Sequence, residues 1–105
     1  MMKIVEKTWG HEEWYHNDRH YCGKKLVVNK GKSSSLHHHK QKTETFLVIA
    51  GEIALDVGED RKRMKKGDHI DILPGTWHRF TGVAPKSEII EFSTQHFDED
   101  TYRQK

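Results

Sequence analysis

The sequence predicts an all-β fold, a sandwich or small barrel of short strands. Apolar and β-branched residues gather into about eight or nine runs of strand length, and glycine or proline turns separate them. No stretch keeps the period of 3.6 residues over a useful helix length. Hydrophobic residues make up 33% and charged residues 32% of the 105 positions. This is polar for a globular chain, but the clustering of the apolar residues argues against disorder. A single domain over residues 1–105 is expected, large enough to bury roughly two-thirds of its unfolded surface and too small for a second core.

Charge and composition exclude several classes. A net charge of +2 is too small to imply a nucleic-acid or anionic-membrane partner. The first residues lack the apolar run of a signal peptide, and no window approaches a membrane span, so a cytoplasmic location is the expectation. The single cysteine, Cys22, cannot close an intrachain disulfide and reads as a small buried side chain.

Taken in order, residues 3–7 alternate weakly and suit an edge strand. Trp9, Gly10, His11, Glu12, Glu13, Trp14 and Tyr15 break that pattern, forming either a rim over a polar pocket or an aromatic anchor outside the domain. Residues 17–20 make a polar turn. Residues 22–28 form a strand with Leu26, Val28 and Lys24 on one face, and Lys24 there either snorkels to the surface, the simpler expectation, or enters a polar cavity. After a turn at 29–32, Ser33, Ser34, Ser35 and Leu36 read as the strand leading into His37-His38-His39.

Glu44 opens the apolar, β-branched strand 44–49, which ends at the turn glycine Gly51. Residues 51–57 alternate, with Ile53, Leu55 and Val57 on one face. The basic run 61–66 around Met64 follows a hairpin and reads as a solvated outer strand, since no aromatics interleave with it as they would in a single-strand binder. Residues 69–73 and 76–80 form strands on either side of Pro74-Gly75. Residues 87–94 are the last clear strand, with Ile89 and Glu91 sharing a face. From Asp98 the tail offers a cap residue, acids first and bases last, which suits one helical turn.

Side chains at i and i+2 share a strand face, so His37 and His39 point together and His38 points away. With Glu44, three metal-capable groups lie within eight residues, which reads as half of a metal site. Imidazole and carboxylate donors suit divalent zinc, manganese, iron, nickel or cobalt, and a thiolate site is out of reach.

The spacing resembles the cupin superfamily. Gly31, five residues, His37-x-His39, four residues, Glu44, six residues and Gly51 match its first motif at residues 31–51. Gly67, Leu73-Pro74-Gly75 and His78 resemble the second, at residues 67–82. Leu73 stands where that motif's first proline is usual, and Gly82 where it ends in asparagine. The resemblance implies a cupin-type double-stranded β-helix, a jelly-roll barrel, binding one divalent metal through His37, His39, Glu44 and His78.

Trp9-Gly10-x-Glu12-Glu13, Lys24, Pro74-Gly75-x-x-His78-Arg79, Ile90-Glu91, Glu99-Asp100 and Arg103 further resemble the cupin of type II mannose-6-phosphate isomerases, which is also fused to mannose-1-phosphate guanylyltransferases. His37 stands where that family usually has glutamine. The resemblance implies a small-molecule carbohydrate substrate and a sugar or sugar-phosphate isomerase or epimerase, with homodimerisation through the N-terminal strand and outer sheet.

Aldose–ketose isomerisation needs a polarised carbonyl and a base that moves a proton between adjacent carbons. Glu91, Glu13 and His11 are the candidate bases, Glu91 first. Lys24 and Arg79 are candidates for holding phosphate or sugar oxygens. Two alternatives fit the same metal donors: an iron-dependent dioxygenase, and a module that binds a sugar or metal without turnover.

Overall fold

The computed structural model describes residues 2–104; Met1 and Lys105, the ends of the expected domain and tail, lie outside the described residues. The strands are β1 (Lys3–Lys7), β2 (Gly10–Asn17), β3 (Cys22–Asn29), β4 (His37–His38), β5 (Glu44–Ala50), β6 (Glu52–Val57), β7 (Asp60–Lys65), β8 (His69–Ile72), β9 (His78–Gly82), β10 (Lys86–Ser93) and β11 (Tyr102–Arg103). A single 3-10 turn, Asp98–Asp100, precedes β11. The strands form a six-stranded sheet ordered β1-β2-β3-β10-β5-β8 and a five-stranded sheet ordered β11-β4-β9-β6-β7. Every pairing between these strands is antiparallel, and the two sheets enclose a jelly-roll interior.

Alternation along the strands sorts residues to the interior. Leu26 and Val28 on β3, Phe46 and Val48 on β5, Ile53 and Leu55 on β6, Phe80 on β9 and Ile89 on β10 form one apolar cluster with Trp9, Met64 and Ile72. Trp9 packs edge-on against Phe80 with centroids 4.8 Å apart. The basic strand β7 is exposed except at Met64, as its pattern predicts.

Four sequence expectations are corrected. Residues 33–36 are not a strand: Ser33 makes an isolated bridge to Thr81, and Ser34 uses its hydroxyl to accept from the Phe80 N–H and to donate to the Ser35 carbonyl. Serine side chains that bond locally displace the regular ladder. Residues 9–15, read as breaking the strand pattern, fall mostly within the strand β2 (Gly10–Asn17), where Glu12 and Trp14 bond on one face and His11, Glu13 and Tyr15 on the other. Lys24 does not snorkel. It is 3% exposed, with Nζ 3.9 Å from the centroid of the Trp14 ring and 3.7 Å from Glu12, because the interior supplies an indole face and a carboxylate for its charge. The tail makes its helical turn, but Phe97 occupies the cap position without a side-chain cap bond, and the chain continues into β11.

Gly51, at the turn between β5 and β6, has φ +74°, and a Cβ there would lie 2.5 Å from both the Lys86 carbonyl oxygen and the Ser87 hydroxyl. Left-handed strain and overpacking therefore combine. Gly51→Ala is expected to lower stability by about 3 kcal/mol, read as a lower urea midpoint with an unchanged slope.

Candidate metal centre

Pairing of β4 with β9 sets His37 directly opposite His78. Residues directly opposite in a ladder face the same side, and His39 follows His37 by two, so the three imidazoles converge. One nitrogen from each lies within 4.8 Å of the others. Glu44, the first residue of β5, reaches in from the opposite sheet. Its Oε2 is 3.3 Å from Nε2 of His39 and 3.5 Å from Nε2 of His78.

Backbone carbonyls fix the imidazole tautomers. Nδ1 of His37 donates to the Ser35 carbonyl at 2.8 Å, Nδ1 of His39 to the Asp100 carbonyl at 3.1 Å, and Nδ1 of His78 to the Thr76 carbonyl at 2.9 Å. With each Nδ1 carrying its proton outward, each Nε2 keeps a lone pair. Burial pushes the His37 imidazole down to about 3, with neighbouring His78 adding to the shift, and burial likewise lowers His78. Both rings are neutral at physiological pH, the form that ligates a metal.

The donor set fits a divalent ion. Glu44 Oε2 and His78 Nε2 are buried without a hydrogen-bond partner, a costly arrangement for a carboxylate that is only 2% exposed. A cation among the four side chains satisfies both atoms at once. Three imidazole nitrogens and one carboxylate oxygen suit first-row divalent metals.

A cavity of about 370 Å³ opens over these residues, within the usual range for small-ligand sites. Its wall carries a connected polar chain. Lys42 Nζ donates to Glu91 at 3.0 Å and to His96 Nδ1 at 3.1 Å, and His96 Nε2 donates to Asp98 at 2.9 Å. Burial would raise the Glu91 carboxyl, but Lys42 and then Lys24 outweigh it and hold the group at about 2. Burial also opposes the charge on Lys42, yet Glu91 and Glu44 keep its ammonium above the ordinary lysine value. His96 is pushed down by burial, and by Lys24 and Lys42 beyond that.

The structure therefore brings His37, His39, Glu44, His78, Glu91 and Lys24 around one space. It does not bring His11, Glu13 or Arg79 there. Along β2, Glu12 and Trp14 line the cavity, whereas His11 and Tyr15 hydrogen-bond Glu13 on the opposite face. On β9, His78 and Phe80 turn inward, so Arg79 turns outward, 43% exposed at its side chain, and pairs with Asp56 at 3.1 Å. Cys22 is buried, and burial raises its thiol.

Sequence reasoning missed Lys42, His96 and the role of Glu12. Lys42 lies two residues before Glu44, a spacing that signals a shared face. The position of Glu12 depends on the pairing of β2 with β3, which sets Trp14 opposite Lys24. His96 follows the last long strand, and no local pattern marks it.

Fold and site together define an all-β jelly-roll protein with a histidine-rich, metal-type centre inside the barrel. The cupin domain model matches residues 25–90, and the chain belongs to the cupin family. It is 27% identical over 105 residues to mannose-1-phosphate guanylyltransferase 2 of Escherichia coli O157:H7, covering 96% of this chain and 22% of that one. The chain thus spans about a fifth of that relative's length. Among solved structures it is similar to the capsular polysaccharide assembling protein CapF from Staphylococcus aureus, with TM-score 0.88, 18% identity, and coverage of 100% of this chain and 34% of that chain. It is also similar to KdgF from Halomonas sp., with TM-score 0.83, 15% identity, and coverage of 94% and 89%. Identities this low show the fold alone. No helix among the described residues is long and apolar enough to cross a membrane.

Two outcomes are expected. Purified without a histidine tag, the protein binds one divalent ion per chain by elemental analysis; His78→Ala loses it, and His38→Ala, on the opposite strand face, keeps it. The second concerns pH. Glu91 titrates near 2 in the folded chain against an ordinary 4.5, so its contribution to stability is fully present above about 4.5 and is lost as the pH falls toward 2. Urea midpoints between neutral pH and about pH 3 should fall in the wild type and flatten in Glu91→Gln.

Proposed function

We propose that this cupin is a metal-dependent enzyme acting on a sugar or sugar phosphate, of the aldose–ketose isomerase or epimerase type. The observation that carries this reading is the convergence of His37, His39, His78 and Glu44 beneath a polar cavity whose wall holds the ionised pair Lys42–Glu91. The guanylyltransferase relative, whose name concerns a mannose phosphate, supports the substrate class. So do the exposed side chains of Lys3, Lys7 and Arg103 in the cavity lining, which favour an anionic ligand.

A divalent ion held by the three histidines and Glu44 supplies Lewis acidity toward a carbonyl and its neighbouring hydroxyl. The chain's own groups supply the rest. Lys24 and Lys42, both buried, present ammonium donors to substrate oxygens. Trp14 lines the cavity and holds the Lys24 ammonium against its ring, which positions that donor. Glu91 is the group assigned to move the proton between adjacent carbons. Held by Lys42 it is a weak base, but a substrate oxygen that takes Lys42's donors competes for the Lys42–Glu91 hydrogen bond and raises the carboxylate's basicity.

The test is proton-exchange NMR in deuterated solvent, with metal-loaded protein and a panel of aldoses and their phosphates. The expected result is loss of the C2 proton signal from at least one sugar. Glu91→Gln should lower that exchange by roughly 100-fold or more while retaining the metal, and His78→Ala should abolish it. If no sugar exchanges while a metal is bound, the isomerase reading gives way to a binding module. Metal-dependent oxygen uptake with ferrous iron would instead favour the dioxygenase class.

A further inference from the structure

The segment after β10 lies outside the residues 25–90 matched by the family model, yet it supports the residues of the centre. β4 is two residues long and meets β9 at one register position, His37 with His78. Its other edge is covered by β11, which sets Tyr102 opposite His38 and Arg103 opposite His37. The Gln104 N–H donates to the Leu36 carbonyl at 2.9 Å, extending the same contact.

Asp100 fastens the far end. Its side chain, 3% exposed, accepts the backbone N–H of Lys40 at 2.9 Å, of Gln41 at 3.1 Å and of Lys42 at 3.2 Å. Its own carbonyl accepts Nδ1 of His39, the bond that aims Nε2 of His39 at Glu44. One residue thus orients a metal donor and shapes the loop carrying Lys42. A carboxylate set among successive backbone N–H groups is a strong, charge-assisted arrangement. Burial would raise the Asp100 carboxyl, but those three N–H groups hold it below its ordinary value.

We infer that residues 98–104 are a clamp, pinned by Asp100, which sets the cation affinity of the centre and is in turn tightened when a cation binds. This rests on the metal-site reading. Asp100 is a positioning residue: it acts through His39 and the 40–42 backbone. Reciprocity follows from linkage, since a clamp that favours cation binding must be favoured by it equally. Asp98, Thr101 and Arg103 of the clamp also line the cavity, so tightening reshapes that wall as well.

The test combines a chelator-buffered Zn²⁺ titration with amide hydrogen exchange on wild type, Asp100→Asn and Asp100→Ala. Asp100→Asn, which keeps an acceptor oxygen without the charge, is expected to weaken Zn²⁺ binding by about 10-fold and Asp100→Ala by up to about 100-fold. Amides of residues 36–42 should exchange faster in both variants, with those of β3, β5 and β10 unchanged. In wild type, Zn²⁺ should slow exchange at 36–42 and 98–104 and leave the β6–β7 hairpin unaffected. Wild-type affinity in both variants overturns the inference, and so does wild-type exchange that ignores Zn²⁺ although the ion binds. If wild type binds no divalent ion, the metal reading itself fails and the clamp's proposed purpose with it. Should either variant fail to fold, the wild-type exchange comparison alone decides.

Discussion

A carboxylate oxygen and an imidazole nitrogen, buried side by side with no hydrogen-bond partner, are the constraint on which the rest of this structure turns. Glu44 and His78 sit on opposite sheets, and each buries a polar atom that the protein itself does not satisfy. In a low-dielectric interior such atoms cost several times what an ordinary hydrogen bond returns. A divalent cation held among the converging donors would meet that demand for both atoms at once. The backbone carbonyls of Ser35, Thr76 and Asp100 show that the surrounding chain is arranged for the same end, since each takes the imidazole proton that would otherwise block the centre.

The same economy governs the cavity wall. Lys42 and Glu91 are both nearly inaccessible to water, and a buried ion pair rarely stabilises a fold beyond what well-packed apolar residues would contribute. On the proposed function, its placement serves chemistry rather than stability. Lys42 stands between Glu91 and His96 and within 4.0 Å of Glu44, so one ammonium influences both the metal donors and the groups facing the cavity. Lys24 completes the arrangement from β3, its charge shared between the Trp14 ring and Glu12.

Much of this is legible in the sequence. The His-x-His pair and Glu44 are readable from the period of two and their closeness in sequence, whereas His78 is expected only from the resemblance to the cupin motifs. Lys24 and Glu91 are readable as faces of strands, but Lys24 does not snorkel because the interior on that side is polar. Which of His11, Glu12 and Glu13 faces the interior is not fixed by the sequence, because that depends on register. Three consecutive polar residues give no hydrophobic phase, and only the pairing of β2 with β3 decides which carboxylate faces in. The contacts of His96 with Lys42 and of Asp100 with the 40–42 backbone are beyond local reading, since each spans more than 50 residues.

These polar demands also explain a composition that is meagre in apolar residues. A barrel of two sheets has an interior to fill, and here 33% hydrophobic residues do so only because the interior is divided. Phe46, Val48, Ile53, Leu55 and Ile89 close one part with conventional packing. The other part is lined by charge that must be neutralised in place. Phe46 and Phe80 mark the border, with the Phe46 ring centroid 6.1 Å from that of His78 and 6.2 Å from that of Phe80. Shifting that border toward more apolar packing would fill the cavity and strand Glu44. Shifting it the other way would remove the burial that lowers the His37 and His78 pKa values. The modest core and the neutral histidines are thus two consequences of one division of the barrel.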